Sequence, residues 1–132
     1  MNKVIVINKK KYLKLAFYSA NFLLVILYLF PGSIIGGFLY NDFYTHPQIT
    51  RNFMISSNHF YLFTLHSILG IFTYQKTKKI NFLFQYLLLL AIILELFHFV
   101  IPNRGFEFSD LFGNLAGVLS TIIIYKIRKK YV

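Results

Sequence analysis

The sequence predicts an all-α membrane protein with four transmembrane helices and both termini in the cytoplasm. Three observations carry that expectation. Of 132 residues, 57% are hydrophobic and 20% aromatic. Only 14% are charged, where a soluble domain carries roughly 25%. The apolar residues also gather into four separate segments, with the basic residues clustered between and around them. The length suits a single domain spanning residues 1–132.

The four segments are expected at roughly 15–30, 59–74, 80–101 and 111–127. A bilayer core about 30 Å thick needs about 20 residues of helix. The third segment meets this best, because Leu87 to Leu94 is free of polar groups. The others are slightly short, so their ends should reach into flanking residues or the bilayer should thin. The first segment follows Lys9, Lys10, Lys11 and Lys14, which also suits a signal-peptide core. No small-residue cleavage site follows it; Tyr28, Leu29 and Phe30 lead straight to Pro31. An uncleaved helix is the better reading.

Basic residues set the topology. Lys3, Lys9, Lys10, Lys11 and Lys14 precede the first segment, and Lys76, Lys78 and Lys79 lie between the second and third. Lys126, Arg128, Lys129 and Lys130 close the chain. The other two connections hold only Arg51 and Arg104. With four spans, the positive-inside rule places both termini in the cytoplasm. The net charge of +10 therefore reads as membrane orientation and headgroup attraction, not nucleic-acid binding. No cysteine is present, which excludes disulfides, thiolate metal sites and cysteine nucleophiles.

The connection 31–57 is long and carries Phe38, Leu39, Tyr40, Phe43 and Tyr44. That content suits a segment lying in the membrane interface. Gly32-x-x-x-Gly36 has helix-packing spacing, but directly after Pro31 it reads more readily as loop flexibility.

Residues 95–117 hold three of the four acidic residues. Ionisable groups within an apolar span are costly, so they face a bundle interior or a wet cavity and mark function. Glu95 should lie about 10 Å inside the outer end of the third helix, at 1.5 Å per residue, with His98 one turn nearer the surface. Asp110, Asn114 and Gly117 share one face of the fourth helix, and a short hairpin turn bearing Arg104 should bring the two faces together. Asp110 also suits a helix N-terminus, Arg104 a partner for Asp110 or Glu107, and Gly117 a close helix approach. His59 and His66 share one face of the second helix; they read first as interfacial or packing histidines, and as site candidates one of them would join the carboxylates. Glu-x-x-His is half of a di-iron motif. A single copy argues for no metal, and no other cofactor is implied.

The combination Glu95-x-x-His98, Pro102-x-Arg104, Asp110-x-x-x-Asn114 and Gly117 resembles the VanZ-like family of small bacterial membrane proteins. Two departures stand out. The family usually has Gln at the position of His98. Its second helix often opens on Asp-Lys followed by His, where this chain reads Asn58-His59-Phe60-Tyr61-Leu62, with Leu62 at the His position and His59 and His66 flanking it. The resemblance implies a multi-pass protein of the bacterial inner membrane, linked to the cell envelope and, for the name-giving member, to low-level teicoplanin resistance. It supplies no reaction.

The leading functional expectation is that Glu95, His98, Arg104, Asp110, Asn114 and Gly117, with His59 or His66, form an outer polar pocket. That pocket would bind an envelope lipid or a lipid-linked amphiphile. Membrane lipids are the expected partners, with a membrane-protein partner as a further option. The alternatives are an accessory subunit of a larger membrane complex and an intramembrane enzyme acting on a lipid-linked substrate, the latter lacking an evident nucleophile.

Overall fold

A computed structural model of the chain describes residues 2–131, with side chains at 9–131. Among the described residues it is all-helical, with five helices: α1 (Asn2–Leu29), α2 (Ile34–Tyr40), α3 (Ser57–Tyr74), α4 (Ile80–Phe97) and α5 (Phe108–Tyr131). α1 starts well before residue 15 and takes in Lys9, Lys10, Lys11 and Lys14, which are good helix formers. Lys3 lies in α1, and its side chain falls outside the described residues. α4 ends at Phe97, short of residue 101. Past that point the backbone tightens, with the amides of His98, Phe99 and Val100 bonding three residues back, to Glu95, Leu96 and Phe97. α5 begins at Phe108, earlier than expected, and runs on through its basic tail.

The connection 31–57 contains a helix of its own. Ser33 caps α2, its hydroxyl accepting from the Gly36 amide at 2.9 Å. Asn41 ends it in the left-handed region at φ 52°. A Cβ at Gly36 would collide with the Thr45 carbonyl, so the Gly32/Gly36 spacing serves the packing of this connection on itself and not helix pairing.

α3 is the inner helix and packs on α1, α4 and, most extensively, α5. Three helices, not the expected four, are long and apolar enough to cross a membrane: Lys9–Leu29 within α1, Ile80–Phe97 and Phe108–Tyr131. α3 falls short because it carries Asn58, His59, Thr64, His66 and Ser67. Its neighbours shelter most of these; His66 and Ser67 are buried beside Phe63 and Ile71. A helix enclosed by others does not need an apolar residue at every turn.

Two glycines on α5 set the closest contact. A Cβ at Gly113 would lie 2.6 Å from the Ser56 carbonyl oxygen, and one at Gly117 would lie 2.6 Å from that of Phe60. Gly113-x-x-x-Gly117 thus lets the α5 and α3 backbones touch, as small residues do between membrane helices. Gly117 was expected to face α4; it faces α3 instead. Phe17 and Leu83 close over Gly70 of α3 in the same way, and Phe63, Leu87, Ala91 and Val118 fill the centre. At one end of the bundle Lys76, Arg128 and Lys129 line a single cleft between α3 and α5.

Substituting Gly117→Ala gains up to ~1 kcal/mol of helix propensity but forces a methyl against a backbone oxygen, an overpacking cost of ~1–3 kcal/mol. The expected net effect is a lower melting temperature in detergent. Gly105→Ala, where a Cβ meets nothing within 4 Å, should leave it unchanged. Equal melting of the two variants would show that the α3–α5 contact is not tight.

Candidate functional site

Four helices and two connections converge at the end opposite that basic cleft. α4 brings Glu95 in its last turn, and the turn after it brings His98, Arg104 and Glu107. α5 brings Asp110 and Asn114, α3 brings His59 in its first turn, and α1 brings Tyr28 in its last. The Ser56 amide donates to the Ser109 carbonyl at 3.0 Å, which sets the starts of α3 and α5 level. That is why His59 meets α5 at Asp110 and Asn114.

The network can be followed atom by atom. Asn114 is fully buried. Its amide nitrogen donates to the Ala91 carbonyl at 3.3 Å, so Oδ1 is the acceptor facing the cluster. The Tyr28 hydroxyl donates to it at 2.6 Å. His59 Nδ1 lies 3.1 Å from the same oxygen and 2.8 Å from the Tyr28 hydroxyl. With the tyrosine proton committed to Asn114, Nδ1 must be the donor. His59 Nε2 faces Asp110 Oδ2 at 3.3 Å, and Nδ1 lies 3.9 Å from Glu95 Oε2. A proton on Nε2 makes this ring a cation between two carboxyl groups.

Glu95 has no exposed surface. Its Oε1 receives the Glu107 amide at 3.3 Å and lies 3.2 Å from His98 Nδ1. His98 Nε2 must donate to the Tyr28 carbonyl at 3.1 Å, since a carbonyl only accepts. Nδ1 of a neutral ring would then have to accept a proton from Glu95, whereas a charged ring would donate one to it. Glu95 and His98 therefore share one proton. Glu95 Oε2 is buried with no hydrogen-bond partner.

Arg104 was expected to pair with Asp110 or Glu107. Among the described residues it forms no ion pair within 4.0 Å. Its Nε donates to the Phe30 carbonyl at 3.2 Å and an Nη to the Leu27 carbonyl at 2.9 Å. It caps the C-terminal end of α1, where carbonyls lack helical partners and the dipole favours a cation. Burial lowers its pKa, while Tyr28, Glu95 and Asp110 pull the other way. His46 lies nearby on the long connection, and burial first and the Arg104 charge second push its pKa below the usual value.

Above the cluster opens a polar cavity of about 330 Å³, lined by His46, Asn58, His59, Asn103, Arg104 and Asp110 among others. Asn58 holds its roof in place, donating to the Pro47 carbonyl at 2.6 Å and accepting from the Ile49 amide at 2.9 Å.

The structure thus brings together Glu95, His98, Asp110, Asn114 and His59, with Arg104 alongside. It leaves out Gly117, which packs on α3, and His66. His66 Nε2 lies 3.1 Å from Asn21 Oδ1, which also accepts from the Tyr86 hydroxyl at 2.6 Å; this is a separate network deeper in the bundle. Sequence reasoning missed Tyr28 and the Glu107 amide. The only signal for Tyr28 was a phenol close to the outer end of an apolar span, where one side is wet and the other apolar.

Tyr28→Phe removes the donor to Asn114 and an acceptor for His59, a buried loss of ~1–3 kcal/mol. It should lower the melting temperature in detergent. Tyr18→Phe, at an exposed tyrosine bonded only to Tyr74, should change it little. Identical melting of the two variants would show that Tyr28 is not part of a closed network. Set against protein-family models, curated proteins and solved structures, the chain has no significant match in any of the three.

Proposed function

We propose that this chain is a VanZ-like protein of the bacterial inner membrane, and that its outer polar cavity holds the headgroup of an envelope lipid or lipid-linked amphiphile. The observation that carries the reading is the cavity itself. A bundle with three membrane-competent helices opens a cavity of about 330 Å³ lined by charged and amide side chains, at the end away from the cleft of Lys76, Arg128 and Lys129.

In this reading α3 crosses as the fourth span. It has 18 residues, as α4 does, and Tyr61, Leu65, Ile68 and Phe72 form an exposed apolar stripe along it at helical spacing. Four crossings return both termini to the same side, and the clustered lysines make that side cytoplasmic. The connection over the cavity exposes Phe38 at 87%, Met54 at 88% and Phe53 at 96%. Such a segment belongs in the headgroup layer, where apolar side chains reach acyl chains. A headgroup at that depth lies level with the cavity. Arg104 spends two of its five donors on α1 and keeps the rest for an anionic group, while Asn58, Asn103 and Asp110 bond to hydroxyls or amines.

Purification in mild detergent followed by mass spectrometry of retained lipids tests this. Wild type should retain a lipid with an anionic headgroup. Arg104→Ala removes a charge-assisted hydrogen bond worth ~1.5–3 kcal/mol, which lowers retention about ten- to a hundredfold, and Asp110→Ala should also lower it. If both variants, folded by circular dichroism, retain the same lipids as wild type, the proposal fails.

A further inference from the structure

We infer that His59, Glu95 and Asp110 form a binding site for a divalent first-row transition metal ion, open to the outer cavity. The three come from three different helices. One ligand atom from each lies within 4.8 Å of the others. Metal–ligand bonds of about 2.0–2.2 Å put two ligands of one ion at most roughly 4.4 Å apart. The set closes when the Glu95 oxygen, now 3.9 Å from His59 Nδ1, turns toward the Nε2 side of the ring.

The second observation is Glu95 Oε2. It is fully buried, faces His59 Nδ1 at 3.9 Å, and has no hydrogen-bond partner. Leaving a carboxylate oxygen buried and unmatched is among the costlier arrangements in a protein. Oε1 of the same group is already held by the Glu107 amide and His98. The carboxylate is thus fixed by one oxygen and presents the other. Metal-binding carboxylates are held in this way, with outer partners orienting the group and one oxygen reserved for the ion.

His59 is held likewise. Nδ1 is occupied by Asn114 Oδ1 and the Tyr28 hydroxyl, and Asn114 is itself anchored on the Ala91 carbonyl. That leaves Nε2 as the ligand atom, on the side of Asp110 Oδ2 at 3.3 Å. With the proton on Nδ1, Nε2 of the neutral ring carries a free lone pair for the ion, beside the Asp110 carboxyl. The ion's two positive charges face the two carboxyl groups.

Ligand chemistry narrows the ion. One imidazole and two carboxylates suit Zn²⁺, Mn²⁺ or Fe²⁺, and the imidazole counts against Mg²⁺ and Ca²⁺. Three protein ligands leave at least one coordination position free. It faces the cavity that His59 and Asp110 line, where it would take a water or an anionic oxygen. His98, half of the Glu-x-x-His pair, becomes the group that orients Glu95 and not a ligand. The inference does not depend on a lipid entering the cavity.

Protein purified on a tag without histidines, stripped with a chelator and freed of lipid, is titrated with Zn²⁺ and with Mn²⁺ by calorimetry. Bound metal is counted by mass spectrometry after dialysis. The expected result is one ion per chain, with little uptake of Mg²⁺. Glu95→Gln should weaken binding at least about tenfold, and His66→Ala, outside the cluster, should not. Asp110→Asn, nearer the rim, gives the same reading should Glu95→Gln fold poorly. Added Zn²⁺ should also raise the melting temperature of wild type and not that of Glu95→Gln. Uptake below one ion per chain, or equal affinity in wild type and folded Glu95→Gln or Asp110→Asn, overturns the site. Because lipid is absent throughout, that failure would leave the headgroup proposal to its own test.

Discussion

Burying the Glu95 carboxyl among apolar helices would cost several kcal/mol if it stood alone. The end of the bundle that carries the site is arranged around meeting that cost. His98 shares a proton with one oxygen, and the backbone after α4 bends so that the Glu107 amide can reach the same oxygen. His59 approaches the other. These contacts draw on α3, α4 and the turn into α5, so the position of one carboxyl ties several elements at the same depth.

Packing and polar chemistry are carried by a single stripe of α5. Asp110, Gly113, Asn114 and Gly117 follow one another at helical spacing. The glycines bring the α5 backbone against Ser56 and Phe60 of the α3 end, and the polar pair rides between them onto His59. A side chain at either glycine, whose Cβ would lie 2.6 Å from a carbonyl oxygen, would push the helices apart by several tenths of an ångström. That would lengthen the 3.1 Å and 3.3 Å contacts of His59 beyond hydrogen-bond range. Here the site is a consequence of close packing.

The half of the cluster within the α4–α5 hairpin is legible in the sequence, because helical spacing and a short turn suffice to bring Glu95 level with Asp110 and Asn114. The contributions of α1 and α3 are not. Hydrophobic periodicity says which face of a helix points inward, but not which residue of a distant helix lies level with it. His59 and His66 share a face, so spacing does not choose between them. The choice depends on Ser56 meeting Ser109, which no local pattern announces. The Gly113-x-x-x-Gly117 spacing is present in the sequence, yet its partner could be either neighbour. α3 has the length of a span, but its polar residues are sheltered by neighbours that a hydropathy argument cannot see.

The end of α1 shows how tightly this layer is coupled. A helix leaves its last carbonyls without intrahelical partners, and α1 has no basic residue in its last turn. The carbonyl of Ile26 is met by the Phe30 amide, those of Leu27 and Phe30 by Arg104, and that of Tyr28 by His98. Apart from the first, all come from the turn between α4 and α5, some 70 residues away. Arginine suits the task better than lysine, because its planar fork reaches two carbonyls at once. His98 holds a carbonyl of α1 with one nitrogen and the Glu95 carboxyl with the other. Any change in the proton shared by His98 and Glu95 is therefore felt at the end of α1, and through the Tyr28 hydroxyl at Asn114 and His59. A ligand entering the cavity touches His59, Arg104 and His98 together, and so acts on a layer whose parts cannot adjust one at a time.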